Sequence, residues 1–347
     1  MFLSAVSFGI AFAGVETQSG LTTPLSAAVA TRVEKAAISV KHAGTILGRG
    51  VFISRDGYAI TTGEIAFDSS GAAKTGLEAA QGTQIIGQLS VKGFDPVTDL
   101  ALVKISGSRT ATFEFATLAK DDSSSVVMAS LISGMTRSEV SRRAVVGIMD
   151  LTKRYVPLTE LRLESGALVL GGAPVFAPDG GLVGVLQASL STQDRSANAE
   201  MASKSVSTNL VPGTQGPRPI VTGFSVSLVV LKRVVEGFLS EDKVVRHPYL
   251  GLFFANYDQG GALVGEITKD GPADRAGLLK GDVIIQAGDR PIITAVDLAT
   301  HLFNQKVGDK VALTVRRAYR EMILNVTVLA DPRSSTSDNL TRKRGVN

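Results

Sequence analysis

The chain has 347 residues, no cysteine, and only three histidines, His42, His247 and His301. Without Cys there are no disulfides, no thiol nucleophile and no thiolate metal ligand. The histidines stand far apart without ligand spacing, so neither a metal site nor a cofactor is expected. The stretch most suggestive of a reactive site is Gly171-Gly172-Ala173-Pro174-Val175-Phe176-Ala177-Pro178-Asp179-Gly180-Gly181-Leu182-Val183-Gly184-Val185. It reads as a small-residue turn, a short apolar strand, a Pro-Asp-Gly-Gly hairpin turn and a second apolar strand. At the turn itself Gly171 supplies no side chain to attack a bond or move a proton.

The surrounding elements are mostly strands. Short Val/Ile/Leu runs broken by Gly recur along the chain, and with no Trp and few Tyr the cores must be aliphatic. The length suggests two domains. The formal net charge of +4 is mild and lies partly in Arg342-Lys343-Arg344, so no nucleic-acid groove is read from it. Residues Met1 to Val15 carry no charge, are too short to span a bilayer, and contain the small-x-small triplet Ala11-Phe12-Ala13. An export signal is expected there, although a Lys/Arg-rich start is missing; a buried N-terminal segment is the alternative. Ala27 to Ala36 suits a short amphipathic helix ahead of a strand at Ala37-Ile38-Ser39-Val40. Leu228 to Leu239 has helical spacing through Leu228, Val229, Leu231, Val234, Val235, Phe238 and Leu239. Ser189 to Arg218 is polar and aperiodic, as expected of a long loop or disordered insertion.

Four ordered blocks resemble the trypsin-like serine proteases of the HtrA (Deg) type. Gly48 to Ala66 is similar to that family's first hairpin, with Arg55-Asp56-Gly57 as the turn. Asp95-Pro96-Val97-Thr98-Asp99-Leu100-Ala101-Leu102-Val103-Lys104-Ile105 is similar to its Asp-x-x-Thr-Asp-Leu-Ala block. Arg143 to Met149 fits the strand ahead of the nucleophile turn, and Pro174 with Asp179-Gly180 fits the turn and hairpin. Val221 to Val226 resembles the last barrel strand. His247 to Leu329 resembles a PDZ domain, through Tyr249-Leu250-Gly251-Leu252, Gly271-Pro272-Ala273-Asp274-Arg275-Ala276-Gly277-Leu278 and Gly281-Asp282-Val283-Ile284-Ile285. The resemblance implies a mostly β fold, a trypsin-like double β-barrel followed by a C-terminal PDZ domain. The expected divisions are an N-terminal segment 1–30, the barrels 31–240 with a linker at Ser240-Glu241-Asp242-Lys243, the PDZ domain 241–330, and a disordered basic tail 331–347.

The same resemblance assigns the triad-equivalent positions to Glu64, Asp99 and Gly171. Only Asp99 matches the family; glutamate stands where the base is histidine, and glycine where the nucleophile is serine. Hydrolysis of this type needs a hydroxyl, a base near neutrality and an acid to orient it. A carboxylate is a far weaker base than imidazole, and beside Asp99 it would meet a like charge. A pseudoprotease is therefore expected. The alternative is an active serine endopeptidase using Ser165 of Leu163-Glu164-Ser165-Gly166-Ala167, which would put the Pro174 hairpin out of register. Glu64 and Asp99 lack a third ligand for a metal. Asp99 has a bland explanation too, as an acceptor of backbone hydrogen bonds at a strand start.

In the PDZ-like part the resemblance implies β-addition of a peptide C-terminus. Tyr249, Leu250, Gly251 and Leu252 would receive the carboxylate, and Leu252, Leu298 and Leu302 would line the last side-chain pocket. The bland alternative is a PDZ domain that packs on the barrel and binds nothing. His301 is expected at the groove rim or in solvent, and His247 in the linker. Expected partners are peptide or protein C-termini, unfolded polypeptides, and copies of itself (a trimer) or an active relative. Exported, periplasmic residence is expected.

Overall fold

The computed structural model describes residues 26–106, 113–121, 126–131, 134–149, 154–163, 171–191 and 221–332. The segment expected to be an export signal, Ser165, most of the stretch 189–218 and residues 333–347 lie outside the described residues. Helix α1 (Ala27–Ala36) starts at Ser26, whose hydroxyl accepts the Val29 N–H. A first closed barrel follows, from β1 (Ala37–His42), β2 (Thr45–Phe52), β3 (Tyr58–Thr62), β4 (Leu77–Gln81), β5 (Gln84–Asp95) and β6 (Leu100–Ser106), in the order β1-β2-β3-β6-β5-β4. Between β3 and β4 lies one helical turn, α2 (Gly63–Ala66).

A second closed barrel comprises β7 (Val126–Leu131), β8 (Gly134–Met149), β9 (Arg154–Leu163), β10 (Pro174–Phe176), β11 (Leu182–Ser191) and β12 (Val221–Val226), ordered β10-β11-β12-β9-β8-β7. The Pro174 hairpin is therefore β10–β11, with Pro174 opposite Val185.

Strand parity explains why stretches of β2, β3 and β6 are buried on both faces. Side chains alternate in direction along a strand. In β2, β3 and β6 one set, Phe52, Ala59, Ala101 and Val103, fills the barrel interior. The other set, Val51, Ile60, Leu100 and Leu102, faces outward but joins Phe176, Leu182, Val185 and Val226 of the second barrel in a shared cluster. The seam between the barrels is thus a core of its own. Helix α3 (Leu228–Leu239) closes it with Val230, Leu231, Val234, Val235 and Phe238. Helical spacing put Leu239 on the apolar stripe, but it is 39% exposed, while Val230, outside that spacing, is fully buried. At the helix end the apolar stripe has turned past the seam, so Leu239 faces water.

The C-terminal unit is a sheet ordered β14-β15-β16-β18-β19, from β14 (Leu252–Asn256), β15 (Ala262–Ile267), β16 (Val283–Ala287), β18 (Lys310–Arg317) and β19 (Arg320–Thr327). The short strand β17 (Arg290–Pro291) pairs with β16, and β13 (Pro248–Tyr249) with β20 (Leu329–Ala330). Helices α4 (Pro272–Arg275) and α5 (Ala295–Phe303) complete it, α5 starting on a Thr294/Asp297 capping box. Asp331 does not belong to a tail: it is 2% exposed, and its N–H donates to the His247 carbonyl at 2.9 Å. The linker turn is pinned to the first barrel, since the Lys243 ammonium lies 5.0 Å over the Tyr58 ring. Helix α5 also lies against β8 and β9.

Candidate functional site

Thr62 ends β3 and caps α2, so the single turn Gly63–Ala66 places residue 64 at the mouth of the first barrel. Glu64 is exposed there. Lys74 Nζ donates to the carbonyls of Glu64 (2.9 Å) and Ile65 (3.1 Å), occupying acceptors the short helix cannot use itself. Asp99, by contrast, is 8% exposed and adopts φ +54°, a left-handed conformation an L-residue seldom holds. Its carbonyl accepts the Gly63 N–H at 2.7 Å, which ties the start of β6 to α2. Its carboxylate lies directly over Gly63: a β-carbon there would come within 2.3 Å of Asp99 Oδ1 and 2.7 Å of Phe94 Cε2. Asp99, expected also to accept backbone hydrogen bonds at a strand start, takes the one from Gly63 through its carbonyl.

Gly171 sits across the seam. Its carbonyl accepts the Arg49 N–H at 2.9 Å, and Gly172 donates to the Leu186 carbonyl at 2.9 Å. Gly172 has φ +78°, and a β-carbon on it would lie 2.1 Å from the Arg49 carbonyl oxygen. This glycine is required by both backbone conformation and close approach. Gly171 is not so constrained. A β-carbon there would meet Thr62 Oγ1 at 3.6 Å and the Gln187 carbonyl at 4.0 Å, with nothing else among the described residues inside 4 Å. The group facing the nucleophile-equivalent position is therefore the Thr62 hydroxyl, not Glu64, Asp99 or an imidazole. Sequence reasoning missed Thr62 because it aligns with a non-reacting asparagine of the resembled family. Beneath the turn, burial lowers the pKa of the Arg49 guanidinium to about 10, and its Nη1 donates to Ser39 Oγ at 2.8 Å.

The histidines go elsewhere. His42 ends β1, beside Gly76. His301 is half-buried on α5, 3.2 Å from Gln305 Nε2; burial and the nearby Arg290 lower its pKa, while Asp289 opposes them. His247, expected in the linker, does more than connect the two units. It is fully buried between the two units, its Nε2 2.8 Å from Asp95 Oδ2.

The second candidate site lies along β14, an edge of its sheet. The loop before it is strapped down: Gly251 adopts φ +71°, its carbonyl accepts the Thr268 N–H, and the Tyr249 hydroxyl donates to Thr268 Oγ1 at 3.0 Å. The Leu250 carbonyl accepts the Ala273 N–H at 2.8 Å. At the other end Asn256 Oδ1 accepts the Ala295 N–H at 2.8 Å, joining strand to helix. Leu252 and Leu302 are half-buried, whereas Leu250 and Leu298 are in the core at 4% and 0% exposure. Leu298 therefore forms the floor beneath any pocket rather than its wall. An edge strand flanked by a helix and an apolar, glycine-bent loop can add a peptide strand.

The PDZ domain model matches residues 248–328. A probable periplasmic serine endoprotease, DegP-like, of Pseudomonas putida (strain W619) is 28% identical over 295 residues, 82% of this chain and 56% of that protein. A putative serine protease, HhoB, of Synechocystis is 22% identical over 314 residues, 80% of this chain and 65% of that protein. The chain thus spans little more than half the length of the DegP-like relative. Among solved structures, the HtrA-type protease AlgW with a decapeptide has a TM-score of 0.57 at 19% identity, covering 88% of this chain and 98% of that one. A serine endoprotease from Yersinia pestis has a TM-score of 0.54 at 19% identity, covering 89% and 100%.

Proposed function

We propose that this chain, an HtrA-type trypsin-like fold with one PDZ domain, binds peptides and protein segments without cutting them, as a scaffold, a chaperone-like holder or a regulatory partner of an active relative. The observation that carries the reading is the pair of surfaces meeting at residue 171. One is a glycine turn, and the other presents a threonine hydroxyl, which cannot act as a base near neutral pH. Loss of triad members costs on the order of 10⁶ in turnover, leaving what backbone donors and binding contribute. Peptide C-termini are the proposed ligands of the β14–α5 groove, supported by the place of β14 at the end of its sheet and by the peptides carried by the AlgW structures. Exported, periplasmic residence is supported by the description of the DegP-like relatives. Association into trimers or with an active relative is part of the same proposal.

A second reading, an active endopeptidase attacking through Ser165, is favoured by the serine-protease names of the relatives. The two readings part on one experiment with the whole chain. Unfolded casein should stay intact and a fluorophosphonate probe should leave no label, while a peptide with an apolar last residue and a free carboxylate binds and its amidated form binds more weakly. Labelling at Ser165 would reject the non-catalytic reading, and equal affinity for acid and amide would reject the carboxylate-loop assignment.

A further inference from the structure

Both walls of the β14–α5 groove converge on one buried residue of the junction. His247 is followed directly by Pro248-Tyr249, so the loop wall Tyr249–Leu252 begins two residues after it. The helix wall ends at Phe303, whose ring meets the His247 ring edge-on at 5.6 Å between centroids. His247 in turn rests on the first barrel through its 2.8 Å contact with Asp95, and both side chains are wholly shielded from water. Asp95 is itself fixed, accepting the Thr98 hydroxyl at 2.5 Å and the Val97 N–H at 3.2 Å. Helix α3, which packs on the barrels, grips α5 as well. Arg233 of α3 donates through Nη2 to the carbonyls of Phe303 and Gln305, each at 2.6 Å, capping the end of α5. Phe303 belongs to the seam cluster with Phe238 and Val245 rather than to the core of its own unit.

We propose that Asp95, a barrel residue, is a positioning residue for the peptide groove. Through His247 it sets the spacing between the carboxylate loop and α5, and the groove is open to its ligand only while docked on the barrel. The proposal rests on the peptide-binding reading above. While docked, the two dry groups satisfy one another, so a substitution that removes one side of the contact leaves the other buried without that bond and perturbs the junction locally.

The test uses the full chain with His247→Phe, Asp95→Asn, the double variant, and Arg233→Met. Arg233→Met removes only a half-buried guanidinium, so it keeps the test alive if changes in the dry pair prevent folding. A dye-labelled hexapeptide ending in valine with a free carboxylate reads affinity. Hydrogen exchange without peptide reads α5 and residues 249–252. His247→Phe and Arg233→Met should each weaken binding about tenfold and speed exchange in both walls. The Asp95→Asn/His247→Phe double variant should be no weaker than the worse single variant. Wild-type affinity and exchange in variants whose melting temperature alone falls would overturn the proposal, because that is what a merely structural contact would give. If the wild-type chain binds no peptide, the peptide-binding reading fails by itself; exchange still decides the positioning claim, and unchanged walls would reject it.

Discussion

Adjacent glycines at the turn should respond oppositely to a side chain. For Gly172→Ala, the left-handed conformation costs about 1–2 kcal/mol. The new β-carbon would also stand 2.1 Å from the Arg49 carbonyl oxygen, far inside contact distance. Relieving it must move main chain, as in an overpacked core, at roughly 1–3 kcal/mol. That same carbonyl accepts the Thr61 hydroxyl at 2.7 Å, so shifting it strains a further hydrogen bond worth about 1 kcal/mol. The expected loss is several kcal/mol, a fall in melting temperature on the order of 10 °C. Gly171→Ser should behave otherwise. Its φ is not positive and its β-carbon has 3.6 Å of clearance, so stability should change by no more than about 0.5 kcal/mol. Calorimetric melts of the two purified variants measure both. Equal falls, or a larger fall for Gly171→Ser, would refute the geometry on which the site reading stands. The stable Gly171→Ser protein, with Glu64→His added, should still show little casein hydrolysis, because the residue-64 position points into solvent and Thr62 holds the facing place.

Two further outcomes are expected. Burial alone would push the Asp282 carboxyl up, but hydrogen bonds from Arg317 and the Leu279 N–H outweigh it and hold the pKa below the usual carboxylate range; its stabilisation is therefore present above about pH 4 and lost as pH falls through the lowered value. Arg317→Met should lower stability at neutral pH by roughly 2 kcal/mol and flatten the acid limb of a pH–melting curve, whereas an unchanged limb would contradict the assignment. The β18–β19 hairpin turns on Ala318 (φ +46°) and Tyr319 (φ +68°), two side-chain-bearing residues where Asn-Gly is favoured, so replacing them with Asn-Gly should raise stability by about 1–2 kcal/mol in chemical denaturation.

Local chemistry made much of this fold legible. The α1 and α3 spans followed from amphipathic spacing, and the turns at Gly57 and Gly180 from Asp-Gly pairs with φ near +80°. What stayed hidden depends on partners distant in sequence. His247 and Asp95 are separated by 152 positions, and nothing beside either residue signals a dry contact. Thr62 reads as one more β-branched strand residue until the second barrel brings residue 171 against it. Leu298 and Leu302 share a helix face, yet only tertiary packing buries the first completely and leaves the second half open.

Helix α1 precedes the first barrel but fastens the second. Arg32 Nη2 donates to the Asp179 carbonyl at 3.0 Å, and Val29 packs beside Gly180 in the β10–β11 turn. The clasp is therefore made by residues that come before the first barrel in the chain. A cut at Ala13 would leave Val29 and Arg32 in place, whereas one after Arg32 would remove both and let go of the hairpin that carries Pro174, whose Asp179 lies 147 positions beyond Arg32.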